Sequence, residues 1–138
     1  MLCILCRQDT KVTNSRLRND SNRVWRRREC LNCKKIITTH EHMVIENTLC
    51  VTKNSTKKSS AFKRDKLFLS IYKSCQHRPN AIDEASTLVQ TVQNLVLKNL
   101  SSEKVSADTI RAHTITVLAR FDPISMTVYK ATHPSRQI

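Results

Sequence analysis

No glycine occurs anywhere in the 138 residues, where average usage near 7% would supply about ten. The absence acts locally: every turn that needs a positive φ must be made by Asn, Asp or a strained residue, at about 1 kcal/mol each. Acidic residues are also scarce, 11 against 24 Lys and Arg, for a formal charge of +13. Such an excess favours a polyanionic partner, nucleic acid first and an anionic membrane second. No run of 18 apolar residues appears, which argues against a membrane span. The opening Met-Leu-Cys-Ile-Leu-Cys-Arg is too short for a signal peptide and carries its charge on the wrong side. Missing too are a Ser-His-Asp order, a paired-acid constellation, a P-loop and a metalloprotease helix, so nothing catalytic announces itself.

What the chain does have is paired cysteine. Cys3 and Cys6 form one Cys-x-x-Cys unit and Cys30 and Cys33 another, with 23 residues between them. Each pair brings two sulfurs close enough to hold one side of a tetrahedral metal, and the intervening chain is long enough to close the other, a zinc-ribbon arrangement. Six cysteines also suit a disulfide framework, but four in paired units without a secretion signal favour metal thiolates in a reducing compartment. A redox role would need a strand-to-helix context with the first Cys at a helix N-terminus, and neither pair has one. Cys50 and Cys75 lack a partner at ligand spacing and read as small buried hydrophobes. His40 and His42 follow the second pair, yet four cysteines already complete a tetrahedron, which leaves both as surface or packing residues.

A segment of about 45 residues with few large apolar side chains buries too little surface to fold unaided. A structural zinc, worth on the order of 10 kcal/mol of apparent binding free energy, would supply the difference. Residues 1–46 therefore read as one small β module: Thr10 to Thr13 and Ile36 to Thr39 are β-branched runs, while Asn14-Ser15 and Asn19-Asp20-Ser21-Asn22 carry turn chemistry. In this picture a long loop carries Arg16, Arg18, Arg23, Arg26, Arg27 and Arg28, six arginines within 13 residues. No acid lies nearer the triplet than Asp20 and Glu29, so phosphate binding is favoured over a merely solvated face. Trp25, the only tryptophan, lies in this basic run; a lone Trp is more often a packing residue than a base-stacking one.

After Glu46 the character changes. Leu49-Cys50-Val51 is a short apolar strand candidate that runs into a polar basic turn from Lys53 to Ser60. From Arg64 to His77 the pattern is helical, with Leu67, Phe68, Ile71, Tyr72 and Cys75 on one stripe. Pro79-Asn80 breaks it, and a second helix follows over about Ile82 to Leu100, with Ile82, Ala85, Leu88, Val89, Val92, Leu95 and Val96 inward. Ser106 suits the N-cap of a third helix bearing Ile110, Thr114, Val117, Leu118 and Phe121. Asp122-Pro123 opens a fourth, Asp as cap and Pro where its missing donor costs nothing, with Ile124, Val128 and Tyr129 inward. Residues 47–138 thus read as a strand or hairpin followed by four helices.

With these residues in place, the chain resembles the NrdR family of bacterial transcriptional repressors, which couple an N-terminal zinc ribbon to an ATP-cone domain. The likeness runs nearly end to end. It covers Met1 to Cys6, Asp9-Thr10-Lys11-Val12, Asn14-Ser15-Arg16, Arg26-Arg27-Arg28-Glu29-Cys30-Leu31-x-Cys33, Thr38-Thr39-x-Glu41 and Phe62-x-Arg64-Asp65-Lys66-Leu67. The resemblance implies an α+β protein: a small β zinc ribbon over 1–46 and a mainly helical ATP-cone over 47–138. It implies one structural Zn2+ on Cys3, Cys6, Cys30 and Cys33, in agreement with the spacing.

The expected function is a cytoplasmic, nucleoid-associated repressor of ribonucleotide reductase genes, not an enzyme. Double-stranded operator DNA would meet Arg16, Arg18, Arg26, Arg27 and Arg28; ATP or dATP would act as allosteric ligand and set a homo-oligomeric state, with no membrane partner. The family's nucleotide turn, Val-x-Lys-Arg-x-Gly, is matched by Val51-x-Lys53-Asn54-Ser55-Thr56, with Lys66 at a phosphate-binding lysine position; the arginine and glycine are replaced. The family glycines that follow each second cysteine are Arg7 and Lys34 here. A nucleic-acid-binding zinc-ribbon accessory protein, such as an RNA-binding factor whose helical half serves protein interaction only, is the alternative. A third is an allosteric factor acting on the reductase by direct contact.

Overall fold

In a computed structural model of the chain, residues 1–19, 23–42, 44–53 and 59–134 are described. The chain divides into two compact units, Met1–Val44 and Ile45–Ile138. The division falls two residues before the expected one, because Ile45 packs against the core of the second unit.

The first unit is a three-stranded antiparallel sheet in the order β1 (Thr10–Arg18), β2 (Arg23–Cys30), β3 (Ile36–His42). The expected long arginine loop is absent from it: Arg16 and Arg18 lie on β1, while Arg23, Arg26, Arg27 and Arg28 lie on β2. Sequence periodicity misses these strands because both of their faces are rich in polar residues, so the apolar alternation that marks a half-buried strand is lacking. The expected turn at Asp20-Ser21-Asn22 lies outside the described residues. A bulge interrupts the pairing of β1 with β2, so that Val12 faces Arg28 and Asn14 faces Arg27. Thr13, the extra residue, donates its hydroxyl to the Arg27 carbonyl at 3.1 Å.

The second unit opens with a 3-10 turn at Ile45–Asn47 and a small mixed sheet. Here β4 (Cys50–Thr52) pairs antiparallel with β5 (Ser59–Ala61) and parallel with β6 (Lys104–Ser106). Four helices complete it: α1 (Arg64–Cys75), α2 (Ala81–Lys98), α3 (Ala107–Phe121) and α4 (Pro123–Thr132). Its core joins Leu49 and Phe62 to Ile71, Val89, Val92 and Leu118, the last four fully buried. Two helix starts follow sequence chemistry directly. Ser106 Oγ accepts from the Thr109 N–H at 2.9 Å and caps α3. Asp122 accepts from the N–H groups of Ile124 at 3.3 Å and Ser125 at 2.9 Å, with Pro123 in the first turn of α4.

Three expectations for this unit need correction. Ile82 and Ile124 were expected inward and are 63% and 60% exposed. Each sits at the first turn of its helix, where the stripe of buried residues is carried instead by Ala81 and Ala85 on α2 and by Ser125 and Tyr129 on α4. The third is β6, a strand the sequence reading did not contain. Its three residues hold only one buried side chain, Val105, and its partner β4 is some fifty residues away in sequence. No helix among the described residues is long and apolar enough to cross a membrane.

Candidate metal centre and basic sheet

The metal centre is built by two short turns of like construction. In the first, the Cys3 N–H donates to the Gln8 carbonyl at 2.8 Å; in the second, the Cys30 N–H donates to the Lys35 carbonyl at 2.9 Å. The Leu31 N–H donates to the Asp9 carbonyl at 3.0 Å and ties one turn to the other. Both turns end in a left-handed residue, Arg7 at φ 59° and Lys34 at φ 57°. These are the two positions directly after Cys6 and Cys33, where glycine would be free of strain and a side chain costs about 1 kcal/mol.

The turns bring all four sulfurs of Cys3, Cys6, Cys30 and Cys33 within 4.8 Å of one another. Cys3 Sγ lies 3.7 Å from Cys33 Sγ, and Cys6 Sγ lies 3.4 Å from Cys30 Sγ. A tetrahedral zinc with Zn–S bonds of about 2.3 Å sets its sulfurs about 3.8 Å apart, so the cluster fits one zinc ion. Four thiolates would leave no open coordination position, so a zinc held here would be structural rather than catalytic. Backbone donors favour the ionised sulfurs. The N–H groups of Cys6 and Leu5 lower the Cys3 thiol, and that of Gln8, with the neighbouring Cys30 sulfur, lowers Cys6 to about 6. For Cys33 the Lys35 N–H acts in the same direction, but desolvation and the other three sulfurs outweigh it and push this thiol up to about 11.

The sheet that grows from this centre sorts the arginines. Residues directly opposite in an antiparallel pair share a face, and neighbours along a strand alternate. Arg16, Trp25 and His40 face one another across the three strands, as do Arg18, Arg23 and His42, and also Asn14, Arg27 and Thr38. These nine residues form a three-by-three grid on one face, with Trp25 at its centre and no carboxylate within it. The other face carries Leu17, Val24 and Glu41, then Ser15, Arg26 and Thr39, then Val12, Arg28 and Ile37. There Arg26 pairs with Glu41 at 2.5 Å, and Arg28 is half-buried with an Nε that lacks any hydrogen-bond partner among the described residues.

The five arginines expected to meet DNA are therefore not one surface. Arg16, Arg18 and Arg27 are exposed on the grid, and among the described residues none of them makes an ion pair. Arg26 and Arg28 lie on the opposite face. Arg23, Trp25, His40 and His42 join the grid although the sequence reading did not select them as contacts; the signal that finds them is strand register. Of the residues expected at a nucleotide site, Val51 is half-buried at the centre of β4, Lys53 is exposed directly after β4, and Lys66 is exposed in the first turn of α1. Asn54, Ser55 and Thr56 of the matching turn lie outside the described residues.

A four-cysteine ribbon carrying a basic sheet, followed by a helical unit with a small mixed sheet, defines a two-unit zinc-ribbon protein. Residues 1–41 match the family described as "Transcriptional repressor NrdR-like, N-terminal domain". The chain is 32% identical over 126 residues to the transcriptional repressor NrdR of Caldicellulosiruptor bescii, covering 91% of this chain and 80% of that protein. It is 32% identical to the repressor of the same name from Streptococcus gordonii, covering 91% and 78%, and 30% identical to that of Ligilactobacillus salivarius, covering 96% and 83%. The chain belongs to the NrdR family of transcriptional repressors, a regulatory rather than an enzymatic family.

Proposed function

We propose that this protein represses ribonucleotide reductase genes in the bacterial cytoplasm, associated with the nucleoid, by binding operator DNA through its zinc ribbon. The observation that carries the reading is the arginine grid, without an ion pair among the described residues, on a sheet anchored at its end by the four cysteines. Arg16, Arg18 and Arg27 contact phosphates in this scheme, joined by Arg23; Arg26 and Arg28 support the sheet from behind. The zinc holds the two turns together and thereby fixes the strand register that aims the grid. Each phosphate contact adds about 0.9 to the slope of log affinity against log salt, so operator binding will weaken steeply as salt rises. Comparing a reductase promoter with random DNA across a salt series tests this; salt-indifferent binding overturns it.

The second unit, in the same proposal, is an ATP-cone that senses adenine nucleotides and sets a homo-oligomeric state. Val51, Lys53 and Lys66 are its proposed contacts, the lysines meeting phosphate. Linkage requires that ATP and dATP bind the competent and incompetent assemblies with different affinity, since a ligand that does not discriminate shifts nothing. Sedimentation of the zinc-loaded protein with each nucleotide in turn tests binding and assembly together, and Lys53→Ala and Lys66→Ala should each weaken binding. Failure of both nucleotides to bind at millimolar concentration overturns the sensing role. The replacement of the family's turn arginine and glycine by Asn54 and Thr56 favours the second reading, a nucleic-acid-binding ribbon whose helical unit serves protein contact alone.

A further inference from the structure

We infer that the grid face of the ribbon also binds single-stranded polynucleotide, with one unpaired base stacked on Trp25. The inference shares its surface with the operator proposal but uses a different property of it.

Trp25 occupies the middle position of the middle strand, half-buried, with Arg16 beside it on β1 and His40 on β3. Adjacent strands lie about 4.8 Å apart, so its ring is flanked by one guanidinium and one imidazole within a nucleotide's width. Arg23 and Arg27 stand two residues away along β2 on the same face. Among the described residues nothing stacks on the indole. The ring contacts among those residues are Phe68 with Tyr72, Tyr129 with His133, and Arg78 over Phe121, all in the second unit. The indole N–H likewise has no hydrogen-bond partner among the described residues.

An aromatic at the centre of an open sheet, flanked by arginines that make no ion pair among the described residues, is the arrangement that single strands require. The cations track the backbone while the ring takes the flat face of a base, whatever its sequence. A base inside a duplex has both faces covered by its neighbours and gains nothing from such a ring. Four arginines without a carboxylate on the grid match the charge of a short strand, and the other face of the sheet, with Arg26 bound to Glu41 and Val12 and Leu17 exposed, does not.

The test uses the full zinc-loaded chain, whose single tryptophan makes emission a direct reporter. It is titrated with a twelve-residue oligothymidylate, its oligouridylate counterpart and a mixed-sequence hairpin duplex. At least one single strand should quench Trp25 emission, and the two arms separate DNA from RNA. By anisotropy of labelled oligomer, Trp25→Ala should lose about tenfold or more in affinity for that strand, while Trp25→Phe keeps most of it and the duplex affinity of both variants stays within about threefold. Zinc content and circular dichroism check that the ribbon remains folded; should Trp25→Ala misfold, Trp25→Phe and the quenching of the parent decide. Saturation by neither single strand, or saturation without quenching, overturns the inference, as does a folded Trp25→Ala that binds the strand as tightly as the parent. Loss of operator binding with single-strand binding intact overturns the operator proposal alone.

Discussion

Arg26 and Arg27 are adjacent in the chain and point to opposite sides of the sheet: Arg26 binds Glu41, whereas Arg27 lies between Asn14 and Thr38 and makes no ion pair among the described residues. Their roles separate accordingly. Arg27→Ala should lower operator affinity and reduce the log-log salt slope by about 0.9. Arg26→Ala should leave the slope nearly unchanged, because its partner Glu41 already offsets its charge. Anisotropy titrations at several salt concentrations decide, and equal losses from the two substitutions would remove the two-face assignment.

Cys30→Ser removes a fully buried sulfur from a centre where four thiolates are needed. Metal content should fall to none and the ribbon should unfold, because binding energy and folding energy are one quantity in a module this small. DNA binding should vanish with it, while the thermal transition of the helices persists. Atomic absorption together with helix-sensitive dichroism measures both.

Ile71→Ala reverses that pattern. Ile71 is fully buried in the helical core, and truncation to Ala in such a place costs about 3 kcal/mol. Denaturant unfolding should show a destabilised helical unit, with zinc stoichiometry unchanged.

Asp122 supplies the pH dependence. Hydrogen bonds from the Ser125 hydroxyl and N–H, with that of Ile124 and His77, hold its carboxyl down at about 2. The folded value lies below the unfolded one near 3.9, so its stabilisation is fully present above about pH 4 and is lost as pH falls through 2. Asp122→Asn should lower the thermal midpoint at neutral pH and flatten the decline between pH 4 and 2. A parallel acid limb in both proteins would exclude Asp122 as its source.

The metal ligands and the helix starts could be read from sequence because their determinants are short-range. Two sulfurs three residues apart must meet, and the Ser106 and Asp122 caps act within three residues of themselves. The left-handed turns after Cys6 and Cys33 were legible only through the family resemblance, which puts glycine where Arg7 and Lys34 stand. The arginine strands were not. Which face each arginine occupies is not displayed by composition, and only the register with β1 and β3 reveals it. Nor was β6, which exists because β4 lies beside it. Ile82 and Ile124 show the limit of periodicity at a helix start, where a first turn offers too few residues to fix which side faces in.

The bulge at Thr13 sets the phase of the whole basic surface. With it, Arg16 and Arg18 stand beside Trp25 and Arg23. Were the same residues to pair there without the bulge, Thr13 would lie opposite Arg27 and every later residue of β1 would turn over. Both arginines would then join the face of Glu41 without any change in net charge. The affinity of this ribbon for a polyanion is thus a property of phase: whether the extra residue between Lys11 and Arg16 is taken up as a bulge decides whether the same cations converge or disperse.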